Sequence, residues 1–201
     1  MLSFVAGTVN ICGVLSVKVL TTNVTGHFAY FSEEMYKGSY GIAVAYLFFI
    51  LSFLAGAFVS GFLVEIGRKR SIVVSYTLPL VIEILLLGSV ALWGRESHFS
   101  IVNGQFLAYI LLFAMGLQNA LVTKVSQSVV RTTHLTGLFT DLGIELSQLF
   151  LRRAQPANKK LYRGIYLKLA IISCFFIGCL LGGILYREIR LLALLLAIFT
   201  L

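Results

Sequence analysis

Apolar residues run through this chain in long blocks, and the polar residues gather between them. Blocks at residues 1–20, 41–64, 71–94, 101–123 and 166–186 carry few charges. A helix that crosses the hydrocarbon core needs roughly 20 such residues, so each block predicts a spanning helix. A sixth begins near Leu191 and meets the end of the chain at Leu201. Helix over that stretch covers only about 16 Å, roughly half a hydrocarbon core, so it reads as truncated or as a half-span. Residues 132–151 mix apolar and polar positions as an amphipathic helix does, and a polar basic loop runs from Arg152 to Arg163.

The blocks also repeat one another. Gly7-Thr8-Val9-Asn10 precedes Thr21-Thr22-Asn23-Val24-Thr25-Gly26, and Gly116-Leu117-Gln118-Asn119 precedes Thr132-Thr133-His134-Leu135-Thr136-Gly137. Further on, Gly56-Ala57-Phe58-Val59-Ser60-Gly61 matches Gly178-Cys179-Leu180-Leu181-Gly182-Gly183. The spacing grows from 109 between the asparagines to 111 between Gly26 and Gly137 and 122 between Gly56 and Gly178, with the order kept. Three spans separate the two starting points, so the copies point in opposite directions across the membrane. Such inverted repeats, related by a pseudo-twofold axis in the membrane plane, build many secondary transporters. The expected fold is therefore an all-α integral membrane protein of about six transmembrane helices in a 3+3 inverted-topology repeat. It forms a single membrane domain over residues 1–201, with repeat 1 at about 1–94 and repeat 2 at about 101–201.

Composition agrees with the pattern. The chain is 59% hydrophobic and 12% charged, with mean hydropathy +0.95, whereas soluble domains carry about 25% charged residues. The net charge of +8 does not point to nucleic acid, because the basic residues cluster at span ends, where they report orientation. The Gly67-Arg68-Lys69-Arg70 turn and the stretch from Lys124 to Arg163 are expected on the cytoplasmic side, with the N-terminus inside. Arg187 and Arg190 run against that assignment. The N-terminus lacks the basic region and cleavage site of a signal peptide. Cys12, Cys174 and Cys179 lie in apolar blocks without a Cys-x-x-Cys pair and read as packing residues.

Several polar positions inside this apolar chain are candidates for chemistry. Thr21, Thr22, Thr25 and Gly26, and likewise Thr132, Thr133, Thr136 and Gly137, combine helix-capping residues with a glycine that permits a sharp break. The exposed amides and positive dipole end of the helix that follows suit an anion or polar group. Two such elements related by a twofold would line one substrate site near the midplane; the bland alternative is a pair of surface caps. Asn10, Gln118 and Asn119 lie within apolar spans, where an amide must face a partner helix or a cavity. Glu83 falls in the middle of the third block. A carboxylate there costs several kcal/mol unless paired, protonated or hydrated, which suits a proton carrier. Pro79 loosens its helix four residues earlier. Asp141 and Glu145 share a helix face and read either as a salt-bridged surface or, for Asp141, as a second proton-coupling group. His134 sits inside the second Thr-Gly element, while His27 and His98 have no partners at metal-ligand spacing. Gly56, Ser60, Gly178 and Gly182 form small-x-x-x-small patterns for close helix packing, either within the chain or as a seam between two copies. No Walker loop, Ser-His-Asp set, His-Glu-x-x-His or redox pair is present, which argues against an ATP-driven pump and most hydrolases. No cofactor is expected.

The stretch Ala114-Met115-Gly116-Leu117-Gln118-Asn119, then Thr132 to Gly137 and Asp141-Leu142-Gly143, resembles the signature of the YoaK-like bacterial membrane proteins, a domain of unknown function. Ala6 to Asn10 with Thr25-Gly26-His27 resembles its N-terminal signature, with Asn10 in place of the family's usual Asp and His27 in place of its Asn. The resemblance implies a bacterial inner-membrane protein of about six spans, and no activity.

Together these readings anticipate a small secondary transporter or permease for a small polar or anionic solute, proton-coupled through Glu83, with the lipid bilayer as its surroundings. The competing expectation is a non-transporting scaffold or accessory subunit whose polar residues only pack helices. An intramembrane lipid enzyme is a weaker third.

Overall fold

The computed structural model describes residues 1–68, 71–94, 101–126, 134–151 and 159–201. Every regular element among them is helical: α1 (Leu2–Val17), α2 (Val24–Tyr36), α3 (Tyr40–Arg68), α4 (Ile72–Trp93), α5 (Ile101–Val125), α6 (Leu135–Leu151) and α7 (Lys159–Ile189). A short 3-10 turn, Arg190–Ala193, then joins α7 to α8 (Leu194–Thr200). Four segments are long and apolar enough to cross a membrane: Tyr40–Arg68, Val73–Trp93, Gly104–Val125 and Lys159–Thr200. The chain is a membrane protein by that measure.

The differences from the sequence expectation have local causes. The first span was expected over 1–20, but α1 stops at Val17 because Lys18 adopts the left-handed conformation (φ 59°). The Val19 amide then donates back to the Gly13 carbonyl at 3.3 Å, which closes the last turn. The 16 residues of α1 span about 24 Å, less than the roughly 30 Å of a hydrocarbon core. Helix α7 begins at Lys159 rather than near 166, since Lys159, Lys160 and Arg163 continue the helical run instead of ending it. The charged stretch Arg187-Glu188-Ile189-Arg190 ends α7, with Arg190 in the left-handed conformation (φ 54°), and α8 follows through a single tight turn.

Two close seams organise the packing. Helix α1 runs parallel along α7: Ser3 Oγ donates to the Ile171 carbonyl (2.8 Å), Thr8 Oγ1 to the Gly178 carbonyl (3.2 Å), and Cys179 Sγ to the Gly7 carbonyl (3.3 Å). At this crossing a Cβ added to Gly7 would collide with the Phe175 carbonyl, and one added to Gly178 with the Phe4 carbonyl. Helix α5 runs parallel along α3 in the same manner. A Cβ on Gly116 would collide with the Phe53 carbonyl, and one on Gly56 with the Phe113 carbonyl. Only glycine lets backbones approach so closely. Ser60 is fully buried, and Gly182 faces Thr8 and Ile11 of α1. The small-residue faces that could have met a second copy are thus filled by helices of the same chain.

Between the seams, α1 and α5 pass each other antiparallel. Gly104 lies by Val17, Gly13 by Leu111, and Gln118 Nε2 donates to the Leu2 carbonyl at 2.8 Å. Helices α4 and α8 are also antiparallel, with Gly94 against Leu191 and Gly88 against Ile198. The core lies where these four meet, built from Val5, Val9 and Cys12, Leu87 and Val90, Leu107, Leu111 and Met115, and Leu191, Leu194 and Ala197.

Candidate functional site

The loop from Lys18 to Asn23 doubles back so that Thr22 returns to α1. Asn10 Oδ1 there accepts both the Thr22 amide (3.3 Å) and its hydroxyl (3.1 Å). Asn23 then caps α2, its Oδ1 accepting the Gly26 amide at 3.0 Å. This follows from sequence: a side-chain acceptor at the cap position satisfies one of the first-turn amides that a helix cannot satisfy itself. In the second Thr-Gly element His134 occupies the cap position of α6. Its carbonyl accepts the Leu138 amide (3.1 Å), and its ring lies over Gly137, close enough that a Cβ there would meet Cδ2.

Both elements open onto one cavity of about 940 Å³. From the first half it is lined by Asn10, Leu20, Thr22, Asn23, Val24, Thr25, Gly26, Ala29 and Phe53, and from the second by Asn119, Thr123, His134, Leu135, Thr136 and Phe175. Phe53 and Phe175 stand near the midpoints of α3 and α7, so the cavity sits at mid-depth of the two longest helices. The first turns of α2 and α6 both border it. Their amides carry the partial positive charge of a helix N-terminus, which favours a polar or negatively charged group there.

The expected site residues divide. Asn10, Thr22, Thr25, Gly26, Asn119, His134 and Thr136 line the cavity. Gly137 lies in the same first turn of α6. Thr132 and Thr133 lie outside the described residues, as do Lys69, Arg70, His98, Arg131 and the loop 152–158. Thr21 is buried away from the cavity, its methyl against Gly13. Gln118 is buried too and ties α5 to the start of α1. Thr21 and Gln118 therefore pack the fold beside the cavity rather than line it.

Glu83 lies at the middle of α4, fully buried, and among the described residues neither carboxylate oxygen has a hydrogen-bond partner. It does not line the cavity. Asp141 is exposed on α6. Its helix neighbour Glu145 instead pairs with Lys168 of α7 at 2.8 Å, so the acidic face of α6 works partly as a helix tie; Lys124 of α5 pairs with Glu65 of α3 at 2.8 Å.

Phe53 and Phe175 were not anticipated as site residues, because a phenylalanine in an apolar block has no contrast with its neighbours. A signal was nonetheless present: each stands three positions before a duplicated glycine, Gly56 or Gly178. Val24 and Leu135 were likewise hidden as ordinary apolar residues between the threonines.

The description Protein of unknown function (DUF1275) matches residues 1–201, and the chain belongs to that family. No curated protein and no solved structure matches it.

Proposed function

We propose that this DUF1275 chain is a small secondary permease of the bacterial inner membrane, with the cavity between its halves as the binding site for a small polar or anionic solute. The observation that carries this reading is the pairing of the lining: Asn10 with Asn119, Thr25 with Thr136, Phe53 with Phe175. Corresponding positions of both copies of the sequence repeat meet in one space at mid-depth. The parallel seams α1–α7 and α3–α5, with α1 antiparallel to α5, are what an inverted-topology repeat would produce. In that reading α1 and α2 act together as one interrupted span, broken at Lys18 to Asn23, and the half-helix ends present amides to the solute as in other transporters with broken helices. The N-terminus is taken as cytoplasmic, from the basic run Arg68-Lys69-Arg70 that follows the second apolar block.

Glu83 is the proposed proton carrier. An ionised carboxylate without a partner is costly at that depth, so its charge would change with the state of the protein around it. Glu83→Gln should leave insertion intact and remove the proton dependence of flux; flux with unaltered proton dependence would exclude the role.

The direct test is solute exchange in liposomes containing the purified protein, against protein-free liposomes. Asn10→Ala and Asn119→Ala should each slow exchange by about tenfold, the effect of losing one hydrogen bond of about 1.4 kcal/mol. Rates equal to those of empty liposomes across polar and anionic solutes would favour the scaffold.

A further inference from the structure

We propose that the solute is a small organic molecule with a flat apolar face, and that Phe53 and Phe175 select it. The inference rests on the permease reading and narrows its substrate class. Each residue lines the cavity from the midpoint of a long helix, one from each half. Each is also held at a fixed depth, because its own carbonyl lies beneath a glycine of the facing helix, Gly116 over Phe53 and Gly7 over Phe175. The backbone at these positions cannot slide without opening a seam, so both residues keep a fixed depth in the cavity wall.

Their chemistry discriminates among solutes. The face of a phenyl ring carries negative potential and disfavours a bare anion beside it. The first turns of α2 and α6 carry positive potential and disfavour a bare cation. A molecule with an apolar face and a polar or singly anionic edge satisfies both, its face against the rings and its edge toward Asn10, Asn119 and the helix ends. The volume of about 940 Å³ lies in the range of cavities that hold organic ligands, roughly 300–1,000 Å³, and is wasteful for an inorganic ion.

The test uses the full chain in lipid nanodiscs, with Cys12, Cys174 and Cys179 replaced by alanine and a single cysteine at Thr22. The rate of thiol labelling is measured with benzoate, acetate or sulfate present. Benzoate should slow labelling by about fivefold or more, and acetate and sulfate should not, since a ligand present at several times its Kd occludes the site in proportion. Phe53→Leu and Phe175→Leu, which keep an apolar side chain and remove the ring face, should weaken protection by benzoate, read as the ratio of the rates with and without benzoate in each variant. Protection by acetate or sulfate equal to that by benzoate overturns the inference while leaving the permease standing. Absence of protection by benzoate overturns it also, as do leucine variants that protect like the parent. A Thr22 cysteine that no aqueous reagent reaches would sink both readings together.

Discussion

In residues 1–94 the short helix α2 is fastened to the long helix α3 by rings; in residues 101–201 the short helix α6 is fastened to α7 by charge. His27 sits at the first joint, its ring centroid 5.4 Å from Phe49 and 6.1 Å from Tyr46, with Tyr30 stacked on Tyr46 at 5.3 Å. Its Nε2 donates to the Leu20 carbonyl at 2.8 Å, so the joint also holds the loop that carries Thr22. At the second joint Glu145 and Lys168, both partly buried, pair at 2.8 Å. The helix-to-helix arrangement is alike and the means are not. Close backbone contact at the glycine seams fixes the architecture, and the short helices can then be docked by whatever chemistry suits each side.

The comparison breaks most completely at what the halves share. Gly116→Leu or Gly7→Leu would drive a side chain into the facing backbone. Each should cost more than about 4 kcal/mol, at the extreme of single substitutions, and yield protein that fails to purify as a monodisperse species. A monodisperse, thermally unshifted Gly116→Leu protein would mean the α3–α5 seam is looser than described.

A smaller effect separates the joints. His27→Ala removes a buried ring and a hydrogen bond and should release α2 by about 2–3 kcal/mol, read as faster amide exchange over residues 24–36 with residues 135–151 unchanged. Exchange in α2 that is no faster in His27→Ala than in the parent would remove His27 from this role.

The smallest effect belongs to the ionic joint. Lys168→Met strands Glu145 but leaves it partly hydrated. The cost should be about 1–2 kcal/mol, between an exposed and a fully buried pair. It should appear as faster exchange over residues 135–151 alone, and equal acceleration in α2 would show that the two joints are not independent.

Much of this was legible in the sequence because lipid imposes simple rules. Apolar blocks at 41–64, 71–94 and 101–123 became α3, α4 and α5 with little change, since each is bounded by polar residues. The duplicated glycines announced the seams, and the duplicated Asn and Thr-Gly elements announced residues that meet in one cavity. What was hidden depended on conformation or contrast. Nothing in Lys18 signals a left-handed residue, so the early end of α1 was invisible. Phe53 and Phe175 were masked by their apolar surroundings. Thr21 and Gln118 carry the same chemistry as the lining residues beside them, and only rotation about their helices and loops turns them into the packing instead.

The central claim is that the two Thr-Gly elements share one aqueous cavity. Single cysteines at Thr22 and Thr136, in a chain lacking Cys12, Cys174 and Cys179, can be labelled from each side of the membrane with an impermeant thiol reagent. The account predicts that both positions react from one common side and that, in a chain carrying both cysteines, occupancy at one slows labelling at the other. Labelling of Thr22 only from outside and of Thr136 only from inside, each unaffected by the other, would make them separate surface caps and contradict it.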